Sequence, residues 1–181
     1  YGFYNNHEFT NEGKISIANS SYIALLLENT TTQAINNGEI KIDTTTNTAI
    51  KLSGSGTKLL NQVNGKIWID STSSSFDAFG IDLTTGTVLQ NQGFVQTSKT
   101  KSSGINLTTA SISNENSIIV VSAYPFDAIS LSNSSFDNKL GAFLRLDGTG
   151  ANNLRLLSVP SGSWLLNSGE IEVKNAFATG I

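Results

Sequence analysis

Apolar and polar residues alternate in short runs along most of the chain. Lys14-Ile15-Ser16-Ile17, Glu39-Ile40-Lys41-Ile42 and Glu170-Ile171-Glu172-Val173 each place aliphatic side chains two residues apart. That period puts them on one face of a strand and leaves Lys, Glu and Ser on the other. Clusters of Gly, Asn, Ser and Thr separate the runs and supply turns, through positive φ or local Asx hydrogen bonds. No stretch carries capped 3.6-residue periodicity, and Ala24 to Glu28 is too short a run for a helix.

The runs recur. Asn11-Glu12-Gly13-Lys14-Ile15-Ser16-Ile17, Asn36-Asn37-Gly38-Glu39-Ile40-Lys41-Ile42 and Asn167-Ser168-Gly169-Glu170-Ile171-Glu172-Val173 all read N-x-G-x-I-x-I/V. Asn61 to Ile69, Asn91 to Val95 and Asn114 to Val120 are variants. A second motif appears as Ala49-Ile50-Lys51-Leu52, Gly80-Ile81-Asp82-Leu83, Gly104-Ile105-Asn106-Leu107 and Ala128-Ile129-Ser130-Leu131, with Ala142 to Leu146 as its loosest copy. A third precedes the Asn: Thr57-Lys58-Leu59-Leu60, Thr87-Val88-Leu89-Gln90, Ala110-Ser111-Ile112-Ser113 and Ser163-Trp164-Leu165-Leu166. Three strands per repeat, with a period of about 25 residues, predict a solenoid rather than an antiparallel sandwich.

Stacked coils would set Ile15, Ile40, Ile67, then Phe94 or Val95, then Ile118 or Val120 in one apolar column. Rungs about 4.8 Å apart would give a rod of roughly 30 Å. The recurrent Asn at one corner predicts a ladder of side-chain amides along the axis. The expected fold is therefore all-β, a right-handed parallel β-helix of about six to seven rungs forming a single segment over 1–181. Residues 1–10 are expected to form a cap or incomplete rung, 11–121 and 164–181 regular rungs, and 122–163 irregular rungs with side loops. Pro125 cannot donate to a central ladder. The aromatics near it either plug the core or line a binding loop, with Tyr124, Phe126, Asp127, Phe136 and Asp137 as the candidate contacts.

Composition narrows the chemistry. The 181 residues include no Cys, no Met, a single His, 11 Lys+Arg and 14 Asp+Glu, for a net charge of −3. Ser, Thr and Asn number 24, 19 and 20, yet 38% of the chain is apolar, enough for a core. No disulfide can form, and His7 alone supports neither His-based catalysis nor a multi-histidine metal site. The acidic balance lacks the basic footprint of a nucleic-acid binder, and no apolar run is long enough to insert in a membrane as a helix.

Acids could pair across rungs, Asp43 with Asp70 and Glu12 with Glu39, to share a proton or a calcium ion. Alternation with Lys14, Lys41 and Lys66 favours ordinary cross-rung charge pairing. No calcium-loop motif and no G-x-S-x-G elbow with a base is present, so no catalytic, cofactor or metal site is expected. Thr triplets at 30–32 and 44–46 fall in turns rather than in an array.

The repeats N-x-G-x-I-x-V, A/G-I-x-L and x-L-x-N resemble the passenger domains of bacterial type V secreted proteins, autotransporter adhesins first and filamentous-haemagglutinin-like adhesins next. The likeness covers most of 11–121 and 164–181. Phage tailspikes and polysaccharide lyases share such folds, so it is a likeness of fold rather than of receptor. It implies a piece of a longer protein, exported unfolded and folded outside the cell. It also implies a surface or secreted adhesin that contacts host or bacterial surface proteins or glycans, or itself. A polysaccharide-binding or polysaccharide-degrading β-helix and a purely structural stalk are the alternatives.

Overall fold

The computed structural model describes residues 2–73, 78–122, 127–148 and 157–175. The described residues form 21 strands, numbered here in chain order, and all of their sheet pairing is parallel. The first sheet contains β1 (Phe3–Asn5), β4 (Leu25–Glu28), β7 (Ile50–Ser53), β10 (Ile81–Thr84), β13 (Ile105–Thr108), β16 (Ile129–Ser132) and β19 (Leu157–Ser158). The second contains β2 (Phe9–Asn11), β5 (Gln33–Asn36), β8 (Lys58–Asn61), β11 (Val88–Asn91), β14 (Ser111–Asn114), β17 (Ser135–Asn138) and β20 (Trp164–Asn167). The third contains β3 (Lys14–Ile17), β6 (Glu39–Ile42), β9 (Lys66–Ile69), β12 (Phe94–Thr100), β15 (Ser117–Ser122), β18 (Phe143–Asp147) and β21 (Glu170–Lys174). Every third strand is a spatial neighbour, which is the β-solenoid.

Register fixes the core. In the first sheet Leu25, Ile50, Ile81, Ile105, Ile129 and Leu157 form one column, and Leu27, Leu52, Leu83, Leu107 and Leu131 the next. The second sheet contributes Ala34, Leu59, Leu89, Ile112 and Phe136, the third Ile40, Ile67, Val95, Ile118 and Leu144. All are buried in one continuous cluster. Each Leu, Ile, Val or Phe so withdrawn from water contributes about 1.5–3 kcal/mol, so the spine is the main stabilising element. Register also resolves the open alternatives: Val95, not Phe94, and Ile118, not Val120, continue the Ile15 column. Val120 lies in the neighbouring column with Ile42, Ile69 and Thr97.

The corner between the second and third sheets is held by the Asn ladder. Asn11 Nδ2 donates to Asn36 Oδ1 at 2.8 Å, and the pattern runs through Asn61 (2.7 Å), Asn91 (2.7 Å), Asn114 (2.9 Å), Asn138 (2.8 Å) and Asn167 (2.8 Å). The second hydrogen of each amide reaches the first carbonyl of the next rung's strand in the third sheet, as Asn61 does to Phe94 O at 3.2 Å and Asn91 to Ser117 O at 3.0 Å. Five of these amides, Asn36 to Asn138, are completely buried and satisfied. The glycine of N-x-G follows from the same crowding. A Cβ at Gly65 would overlap Asn36 O and Asn61 Oδ1, and one at Gly93 would overlap Gly65 O.

One assignment changes. Ala142 to Leu146 is not a copy of the second motif, because β18 pairs with β15 in the third sheet. The run that is too short for a helix holds β4 (Leu25–Glu28), the first sheet's second strand. Within the stretch expected to be irregular, 127–148 holds three strands in full register, β16, β17 and β18. Residues 1–10, expected as a cap or incomplete rung, contribute β1 and the start of β2 to the first coil, with Phe3 and Phe9 rings 5.5 Å apart.

Candidate binding surface

The outward positions of the strands carry the polar chemistry, and the third sheet carries most of the charge. Lys14 meets Glu39 at 2.9 Å, Lys41 meets Asp43 at 2.7 Å and Lys99 meets Asp70 at 3.3 Å. Arg145 meets Glu172 at 2.6 Å, which Lys174 also reaches at 2.9 Å. The Lys14 hydrogen bond holds the Glu39 carboxyl below the ordinary carboxylate value. Lys174 and then Arg145 do the same for Glu172. The Asp43 hydrogen bond raises Lys41. The proposed stacking of Glu12 on Glu39 does not occur. Register sets Glu39 beside Lys14 and Lys66, while Glu12 accepts from Asn37 Nδ2 at 2.9 Å. Asp43 and Asp70 do lie on successive rungs, each turned to its own lysine.

Between these pairs the face is aromatic. Lys41, Trp68 and Gln96 occupy one outward column on β6, β9 and β12. The Trp68 ring lies 4.6 Å from the Phe94 ring, tilted by 43°. Further along, Arg145 sits 5.4 Å over the Phe143 ring. Trp68, Lys41, Asp43, Asp70, Gln96 and Ser98 line a groove of about 180 Å³.

A second concavity, of about 330 Å³, lies against the first sheet. Its floor includes Lys51, Asp82 and Asn106, in register on β7, β10 and β13. Asp82 is 4% exposed, and both of its oxygens are engaged: Oδ1 accepts from Asn106 Nδ2 at 2.8 Å, and Oδ2 meets Lys51 Nζ at 3.3 Å. Tyr22, Asn47 and Phe79 form its walls. A carboxylate that deep persists only with such partners.

The residues expected to form a binding loop are described only in part. Tyr124 and Phe126 lie outside the described residues. Asp127 is half-buried just ahead of β16. Phe136 belongs to the core: on β17 it takes the place held by Leu89 and Ile112 on neighbouring rungs, and it is fully buried. Asp137, the next residue, points outward and pairs with Lys139. Among the described residues no three His, Cys, Asp or Glu side chains are grouped to hold a metal ion. No family model, curated protein or solved structure matches this chain.

Proposed function

We propose that this chain is a segment of a cell-surface or secreted bacterial adhesin, of the autotransporter-passenger kind that its repeats resemble. It would hold a binding face outward from the cell and attach it to a surface protein, to a glycan or to another copy of itself. The reading assigns it no catalytic role and places it outside the cell, anchored through a region beyond this segment. The observation that carries it is the division of labour across the strands. The inward positions are spent on one aliphatic spine, and the outward positions of the third sheet present an ordered array of charge pairs and aromatics. A rigid scaffold with side chains fixed by ladder register loses little side-chain freedom on binding.

Beads coated with the chain are expected to attach to bacterial or host cells, to extracellular matrix proteins, or to one another, in excess of beads coated with an unrelated β-rich protein. Equal attachment in every case would overturn the adhesin reading. The second reading, a polysaccharide-binding β-helix, is favoured by the groove at Trp68.

A further inference from the structure

We propose that the groove on β6, β9 and β12 is a subsite for a neutral oligosaccharide, with Trp68 as its stacking platform. This names a ligand class for the adhesive face and rests on the reading of that face as a binding surface. Four features point to it. First, the groove's volume of about 180 Å³ suits one six-membered ring, since a cavity of about 150 Å³ accommodates benzene. Second, the lining pairs an aromatic surface with convergent polar groups, the usual make-up of a small-molecule site. A pyranose has an apolar C–H face to lay on the indole and hydroxyls around its rim to meet polar side chains.

Third, the charges in and beside the groove cancel. Lys41 is paired with Asp43 and Lys99 with Asp70. Two cations against two anions leave no net attraction for a charged ligand, but the carboxylates keep lone pairs that can accept from sugar hydroxyls. Gln96, whose Nε2 donates to Ser98 Oγ at 3.2 Å, adds an amide to the same wall. Fourth, the backbone is shaped at this point. β12 is the longest strand among the described residues, its register with β15 shifts between Ser98 and Thr100, and Lys99 takes the left-handed conformation with φ of 49°. A bulge of this kind re-aims a side chain and is common beside binding sites. Here the ammonium it carries ends on Asp70 at the groove's edge.

The test is calorimetric titration of the intact chain with three neutral oligosaccharides, built from β-1,4-glucose, α-1,4-glucose and β-1,4-mannose, and with a heparin oligosaccharide as the charged comparison. At least one neutral oligosaccharide is expected to bind saturably. Trp68→Ala is expected to weaken it roughly tenfold or more, and Trp68→Phe by less. Trp164→Phe, on the second sheet, is expected to leave affinity unchanged. Circular dichroism confirms that each variant keeps its strands. Failure of all three neutral sugars, equal affinity in Trp68→Ala, or binding of heparin alone with a steep salt dependence would each overturn the subsite. Beads carrying Trp68→Ala separate the two readings: attachment that survives the loss of sugar binding leaves the adhesin and removes the subsite from it.

Discussion

Single residues show how closely the interior is satisfied. Asn61 accepts from Asn36 and donates to Asn91 and to two backbone carbonyls, Gly65 O and Phe94 O. Asn61→Ala leaves buried donors and acceptors on both sides without partners and is expected to cost about 3 kcal/mol, measured by urea unfolding. Thr97 is the counter-case. It stands in an aliphatic column, fully buried, and its hydroxyl has no hydrogen-bond partner. Thr97→Val, equal in shape, is expected to raise stability by about 1 kcal/mol. The ion pairs add a pH dependence. Glu39 and Glu172 titrate below their ordinary value of 4.5 when folded. A carboxylate depressed on folding adds stability above its unfolded value and loses it as pH falls through the folded one. The urea midpoint is therefore expected to fall as pH drops below about 4.5, and Glu39→Gln to make that fall shallower. Both groups are partly solvent-exposed, so the slope is small.

At the scale of elements, the corners decide how the strands stack. The residue after each of five first-sheet strands has positive φ: Asn29, Gly54, Thr85, Thr109 and Asn133. Thr is β-branched and poorly suited to the φ of 54° at Thr109, so Thr109→Asn is expected to raise the melting temperature, with a gain of about 1 kcal/mol. The opposite effect is expected at Phe136. Phe136→Ala empties a large, fully buried position of its column and should cost about 3–5 kcal/mol in the same assay. Much of this was legible in the alternation. The N-x-G corners, the Asn ladder and the A/G-I-x-L strands could be placed from spacing, because each repeats one residue type at one structural position. Asn138 could not, since its corner runs on through Lys139, Leu140, Gly141 and Ala142 before β18 and hides the N-x-G pattern. Without it Ala142 to Leu146 took the wrong sheet: its alternation suits any of the three, and only the ladder sets the phase. For Phe136, a lone apolar residue among Ser, Asp and Asn, the pattern left a core and a loop position both open, and register places it in the core column. Of the groove, only the placing of Asp43 and Asp70 on successive rungs was visible. Lys41, Trp68 and Gln96 share no residue type, and nothing but register brings them side by side.

Across the whole molecule, every coil rests on its neighbours and on little else. Stability in such a stack is a sum of coil and interface contributions, and terminal coils open first. β20 and β21 are more exposed along their length than β8, β11 and β14. Their amide protons are expected to exchange with solvent faster than those of the middle coils, and uniform protection from end to end would contradict that order. The ladder carries one more consequence. All six links from Asn11 to Asn167 donate toward the higher-numbered coil. The amide dipoles therefore add up instead of cancelling, and the stack has a sense of direction as a magnet has. Two such columns brought together tail against tail would oppose donor to donor. They can extend one another only when both point the same way.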